Sequence, residues 1–319
     1  MIRKHLVSLS AALAALACND TTVAPDARVP GIQAMSFANS EWSTPVHVDA
    51  PVNSAASEQS PALSPDGLSL YFGSNRAGGL GGLDIWVSRR ASLDSPWETP
   101  INLGPSVNSP SDENAASFSA DGHLLFFFSG RAGGHGGNDI YMSRRDHTHD
   151  DFNWESPMNL GPDVNTAADE TGPSYVENED GGALYFNRGA NETQDIYSAP
   201  LSRDGDTRGP GVLVAELNDP TVLDGRVSVR KDGREAILFS RRAGTLGLTD
   251  LWVSTRRSVN DPWSTPENLG APINTAFVDT QASFSDDGRT LFFSSNRPGG
   301  LGGNDIYYVT RTPSGKEVP

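Results

Sequence analysis

Seven acidic side chains, Glu58, Asp112, Glu113, Asp169, Glu170, Asp224 and Asp279, recur at similar places along the 319-residue chain. Two carboxyl groups held about 5–9 Å apart are enough to cleave a glycosidic bond. A working acid/base pair, however, needs two environments that push their pKa values apart. Acids that return in nearly every repeat of a sequence suit architecture better than catalysis. No G-x-S-x-G or H-E-x-x-H motif is present, and the chain's one cysteine, Cys18, lies near the N-terminus. His147 and His149, followed by Asp150 and Asp151, are of metal-ligating type but sit in a polar insertion that reads as a solvated loop. The residues therefore point to no catalytic group, no metal and no cofactor, with a carbohydrate-cleaving use of the acids as the alternative.

Two further polar patterns recur. One is R-x-G-G-x-G-G-x-D, at Arg76–Asp84, Arg131–Asp139 and Arg297–Asp305. The other is Asn-(Ser/Thr) followed by an acid, at Asn53, Asn108, Asn165 and Asn274. A phosphate-cradling glycine run must open a helix, whereas these glycines precede a strand-like D-(I/L)-(W/Y) segment. The calcium-binding glycine repeat is also a poor match, because it is off by one residue and needs stacked turns of about nine residues. Asp84, Asp139, Asp195, Asp250 and Asp305, one per repeat, are expected to be structural. Two repeats lack the glycine loop, with Gly189–Gln194 and Ala243–Thr249 in its place. The expected binding surface is accordingly an arc made by the other three, with Arg76, Leu80, Arg131, His135, Arg297, Leu301, Asn53, Asn108 and Asn274 as its candidate residues.

The elements that carry these residues follow from the spacing. The five Asp-(Ile/Leu)-(Trp/Tyr) markers stand about 55 residues apart, a period in the range of propeller blades. In the second repeat, Ala116–Ser119 reads as strand A, Asp121-Gly122 as a tight turn, Leu124–Ser129 as strand B, Asp139–Arg144 as C and Trp154–Leu160 as an outer strand D. No segment has a helical apolar period of useful length. A D-type segment, Trp42–Val48, precedes the first A strand, and nothing follows the last C strand, Ile306–Arg311. Pairing the two closes a ring and removes exposed sheet edges. The predicted fold is all-β: a single five-bladed β-propeller of four-stranded antiparallel blades over residues 41–312, closed by the N-terminal strand pairing with the last blade. The position expected to face the crowded axis is small in each blade: Ala62, Ser117, Ser174, Ser228 and Ser283.

Repeats such as SPDGLSLYFGSNRAGGLGGLDIWVSRR and SDDGRTLFFSSNRPGGLGGNDIYYVTR resemble the WD40-like PD repeats of bacterial envelope propellers. Members of that group include the TolB propeller domain and propellers fused to OmpA-like domains. The resemblance covers about 270 residues and implies a propeller that binds a protein partner. No OmpA-like segment is found here, so peptidoglycan anchoring is not implied.

The N-terminus supplies an address. Arg3, Lys4 and His5 precede an apolar run from Leu6 to Ala17, and Cys18 follows Ala15-Leu16-Ala17. This reads as an export signal over residues 1–17, with a lipobox-like end that makes Cys18 the expected lipidation site; the alternative is an ordinary secretory signal with A-x-A before Cys18, which leaves a free thiol. Residues 18–40 then read as a tether and 313–319 as a tail. The formal charge of -16 disfavours nucleic acid. The expected protein is an exported, lipid-anchored, non-catalytic scaffold facing the periplasm or the cell surface. Its expected partner is an envelope protein or extended peptide, or else a glycan, on the face that carries the D–A and B–C loops.

Overall fold

The computed structural model describes residues 41–178, 181–190 and 193–312. The segments expected to be leader, tether (with Cys18) and tail lie outside the described residues. Twenty strands form five antiparallel four-stranded sheets. Blade one comprises β2 (Glu58–Leu63), β3 (Ser69–Ser74), β4 (Asp84–Arg89) and β5 (Ile101–Asn102), its strands A to D from the axis outward. Blade two comprises β6 (Glu113–Phe118), β7 (Leu124–Ser129), β8 (Asp139–Arg144) and β9 (Met158–Asn159). Blade three has β10 (Glu170–Asn178), β11 (Gly181–Arg188), β12 (Asp195–Leu201) and β13 (Val212–Leu213). Blade four has β14 (Asp224–Val229), β15 (Glu235–Ser240), β16 (Asp250–Thr255) and β17 (Glu267–Asn268). Blade five has β18 (Asp279–Phe284), β19 (Thr290–Ser295) and β20 (Asp305–Thr310), and β1 (Val46–His47) completes it.

The closure expected from the sequence is present. Val46 and His47 pair with Tyr308 and Tyr307, and backbone bonds from Ser43 to Thr310 and from Val48 to Ile306 extend the contact. Each outer strand pairs over only two residues, shorter than the W-x-x-P pattern suggests. Pro100, Pro157 and Pro266 stand just before these pairs and cannot donate to a ladder, so the paired run stops there, although Glu98, Glu155 and Ser264 beyond them still donate to the carbonyls of Arg89, Arg144 and Thr255.

The apolar core lies between blades. Five clusters of buried side chains each join two neighbouring blades, and the last joins blade five to blade one. The near-continuous apolar B strands follow from this, because both faces of each sheet are covered. Along β7, Leu125 and Phe127 enter the cluster shared with blade one, while Leu124 and Phe126 enter the one shared with blade three.

A second device holds the opposite, A–B, face. The arginine after strand C lies over the tryptophan of strand D: Arg90 on Trp97, Arg145 on Trp154, Arg256 on Trp263 and Arg311 on Trp42, at 4.1–4.4 Å from the rings. The Nε of the same arginine donates to the glycine carbonyl of the Asp-Gly turn, at Gly67, Gly122, Gly233 and Gly288. Asp151 is also structural rather than a solvated metal-ligand candidate. It is buried and accepts bonds from Ser69, Tyr71, Arg89 and Arg145, tying blades one and two together.

Every A strand has a bulge at the same place. At the bulge Ser60, Ala115, Gly172 and Gln281 have φ of 52–61°, and Arg226 occupies that position in blade four. The five small residues expected at the axis, Ala62, Ser117, Ser174, Ser228 and Ser283, all line one axial cavity of about 110 Å³.

Candidate functional site

The D–A and B–C loops meet on one face of the ring, where the acids, arginines and asparagines of the repeats come together. Each A strand begins with an acid that is fully buried: Glu58, Glu113, Glu170, Asp224 or Asp279. Each is also consumed by bonds within its own blade. Glu58 accepts from the Ser54 backbone N–H and hydroxyl, Ser74 Oγ and Arg76 Nη2. Glu113 repeats this with Ser109, Ser129 and Arg131, and Asp279 with Thr275, Ser295 and Arg297. Glu170 accepts from Thr166 and Arg188, and Asp224 from the Asp219 N–H and Arg242. A buried carboxylate is tolerable only when paired and bonded in this way.

The arginines and asparagines expected at the binding surface are also engaged within the ring. Arg76, Arg131 and Arg297 also donate to carbonyls of Val52, Val107 and Ile273 and lie against aromatic rings of strands B and C. Asn53, Asn108 and Asn274 are 1–2% exposed. Each mimics a strand edge: its Oδ1 accepts, and its Nδ2 donates to, the backbone of one residue in the preceding C strand. The partners are Ile306, Ile85 and Leu251. Asn165 does the same to Ile140. The blade-three copy is Asn218, which bonds Ile196. It escapes the sequence pattern because no Ser or Thr follows it.

The glycine loops interlock neighbouring blades. A Cβ at Gly81, Gly136, Gly247 or Gly302 would fall 1.7–2.2 Å from the carbonyl oxygen of Ser111, Ala168, Phe277 or Ala56 in the next D–A loop. Only glycine allows that approach. Asp112 and Asp169 pin the same seam by accepting the Leu83 and Asn138 N–H groups. Within the loop, Asp84 accepts from Leu80 and Gly81, Asp139 from His135 and Gly136, Asp250 from Leu246 and Gly247, and Asp305 from Leu301 and Gly302.

Blade four thus keeps the turn that its sequence hides, with Gly244 at φ 100° matching Gly78 at 99° and Gly299 at 99°. The arc of like loops therefore takes in blades four, five, one and two rather than three blades; in blade three, residues 191 and 192 of the loop lie outside the described residues. There Asp195 is half-buried, and burial together with nearby Asp224 holds its carboxyl above the usual range. Exposed on this face are the loop tips Leu80, His135, Leu246, Leu248 and Leu301, with Phe277 beside them. Among the described residues no group of three His, Cys, Asp or Glu side chains is placed to hold a metal ion.

No protein-family model matches the sequence, and no curated protein is significantly similar to it. Solved structures share the fold. A GH43 endo-arabinanase from Bacillus licheniformis is similar at 12% identity, with a TM-score of 0.56 over 82% of this chain and 95% of that one. An α-L-arabinofuranosidase from Podospora anserina is similar at 12% identity, with a TM-score of 0.55 over 86% and 97%. TolB from Acinetobacter baumannii is similar at 16% identity, with a TM-score of 0.48 over 82% of this chain and 56% of TolB. This chain therefore spans little more than half of TolB. At such identities the likeness is one of fold.

Proposed function

We propose that this chain is a non-catalytic binding propeller, exported and lipid-anchored through Cys18, that seats an envelope protein or extended peptide on its D–A/B–C face. The observation that carries this reading is the state of the five inward acids: each is buried and fully engaged in holding its blade. Beside His135, the face offers a ligand an apolar set spread over several blades, Leu80, Leu246, Leu248, Leu301 and Phe277, which are 40–65% exposed. Such a surface suits a protein chain better than a sugar, whose recognition relies on polar groups. Cross-linking the native protein in its own cells, followed by mass spectrometry, tests the reading. A stoichiometric envelope protein should be recovered with the wild type and lost with Leu80→Asp/Leu301→Asp. Leu246→Asp should weaken capture as well, since its loop has the same turn. Recovery of no protein, or equal recovery with every variant, contradicts the reading.

A second reading, a carbohydrate-active propeller, is favoured by the arabinan- and arabinoside-cleaving enzymes that share the fold at nearly full length. On this chain its acid would be Asp195, whose raised pKa beside the arginine-bound Asp224 makes two unlike carboxyl environments.

A further inference from the structure

The axial cavity contains a cation without a counter-charge. Arg226 takes the bulge position that Ser60, Ala115, Gly172 and Gln281 fill in the other blades. It is 5% exposed and reaches across the ring to blade two, where Nη2 donates to the Ala116 carbonyl at 3.0 Å. Nε and Nη1, which carry three of the five guanidinium N–H donors, have no partner. No carboxylate stands within ion-pair distance of it among the described residues, although every other buried arginine considered above has an acid, a turn carbonyl or an aromatic ring beside it. Burial alone pushes its guanidinium down to about 10, so it stays charged at neutral pH. Blade three makes room for it: a Cβ at Gly172 would meet Arg226 Cβ and Cγ at 3.1 and 3.3 Å.

We infer that Arg226 is the base of an axial anion site that takes one small monovalent anion, a halide or a carboxylate group of similar size. The cavity of about 110 Å³ that it lines has space for such an ion, and serines at four of the five small axial positions supply hydroxyl groups around it. An unpaired buried charge is strongly disfavoured. The mouth selects for size and low charge. Lys231 there is already paired with Asp286, and Glu177 also lines the opening. In a chain of formal charge -16 a polyanion is repelled.

The test is chloride-35 NMR line broadening on the intact protein, with gluconate keeping the ionic strength fixed. Wild type should broaden the chloride line saturably, and bromide should reverse the effect. Thermal stability should rise with chloride in step with that occupancy, as for any ligand that binds only the folded state. In Arg226→Met and Arg226→Gln the broadening should fall by about tenfold or more, as expected when a charge-assisted site is lost. Should either variant fail to fold, the bromide competition on wild type still decides. Displacement by formate would show that the site accepts a carboxylate, and displacement by bromide alone would restrict it to halides; either result supports the site. No saturable broadening with wild type, or broadening unchanged in the folded variants, overturns it.

Discussion

Replacing Asn53 with alanine separates an architectural asparagine from a ligand-binding one. In the structure Asn53 Oδ1 accepts the Ile306 N–H at 2.7 Å, and Nδ2 donates to the carbonyls of Val48 at 2.6 Å and Ile306 at 2.9 Å. These bonds bind the closing strand to the last C strand. The alanine variant loses three bonds worth about 1 kcal/mol each and leaves a buried N–H unpaired, so the expected loss is about 3–5 kcal/mol. That is a large part of the ~5–15 kcal/mol that folded proteins typically retain. Urea unfolding followed by tryptophan fluorescence should show the midpoint shift, with Asn218→Ala, the blade-three copy, costing a similar amount. An exposed ligand-binding residue would cost within about 0.5 kcal/mol. A change of that small size in Asn53→Ala would refute the view that these asparagines hold the ring.

Other outcomes follow from the same geometry. Gly302→Ala places a Cβ 1.7 Å from the Ala56 carbonyl oxygen, and thermal unfolding should show a loss of about 1–3 kcal/mol as the blade five–one seam shifts; an unchanged melting temperature would refute the seam. For Asp151, burial acts to raise the pKa, but bonds from Tyr71, Ser69 and Arg89 outweigh it and hold the carboxyl below its usual range. Its contribution is then complete above the unfolded value of about 4 and lost as pH falls through the lower folded value. The stability gap between wild type and Asp151→Asn should therefore be widest near neutrality and shrink in acid; a gap constant with pH would contradict this. Cys18→Ala should move the protein from the membrane to the soluble fraction of its cells, whereas unchanged membrane association would exclude Cys18 as the anchor.

The ring was legible in the sequence because its cause is repetition. A turn, a strand pair and a marker aspartate return about every 55 residues, and the unpaired first D segment implied its own partner. Strand lengths were less legible, since a proline shortens the D ladder only after the chain has packed. The role of the acids turned on their partners: recurrence suggested architecture, but only the bonds to Ser54, Ser74 and Arg76 and their copies establish it. Asn218 and the blade-four turn were hidden because the backbone keeps a geometry that the neighbouring side chains no longer spell out. Arg226 had one visible signal, a charged residue at a position otherwise occupied by Ser, Ala, Gly and Gln. Its isolation from carboxylates among the described residues is a property of the folded ring alone.

The most direct test of the central claim, that the carboxylates of this face build the ring and cleave nothing, is reducing-end release from arabinan, arabinoxylan and a wider polysaccharide panel. Folded wild type, Glu113→Gln and Asp195→Asn should be compared. The expected result is no release above buffer for any of the three, with Glu113→Gln reading out only as lowered stability. Release by wild type that Asp195→Asn abolishes at an unchanged melting temperature would contradict the account and establish a carbohydrate-cleaving propeller.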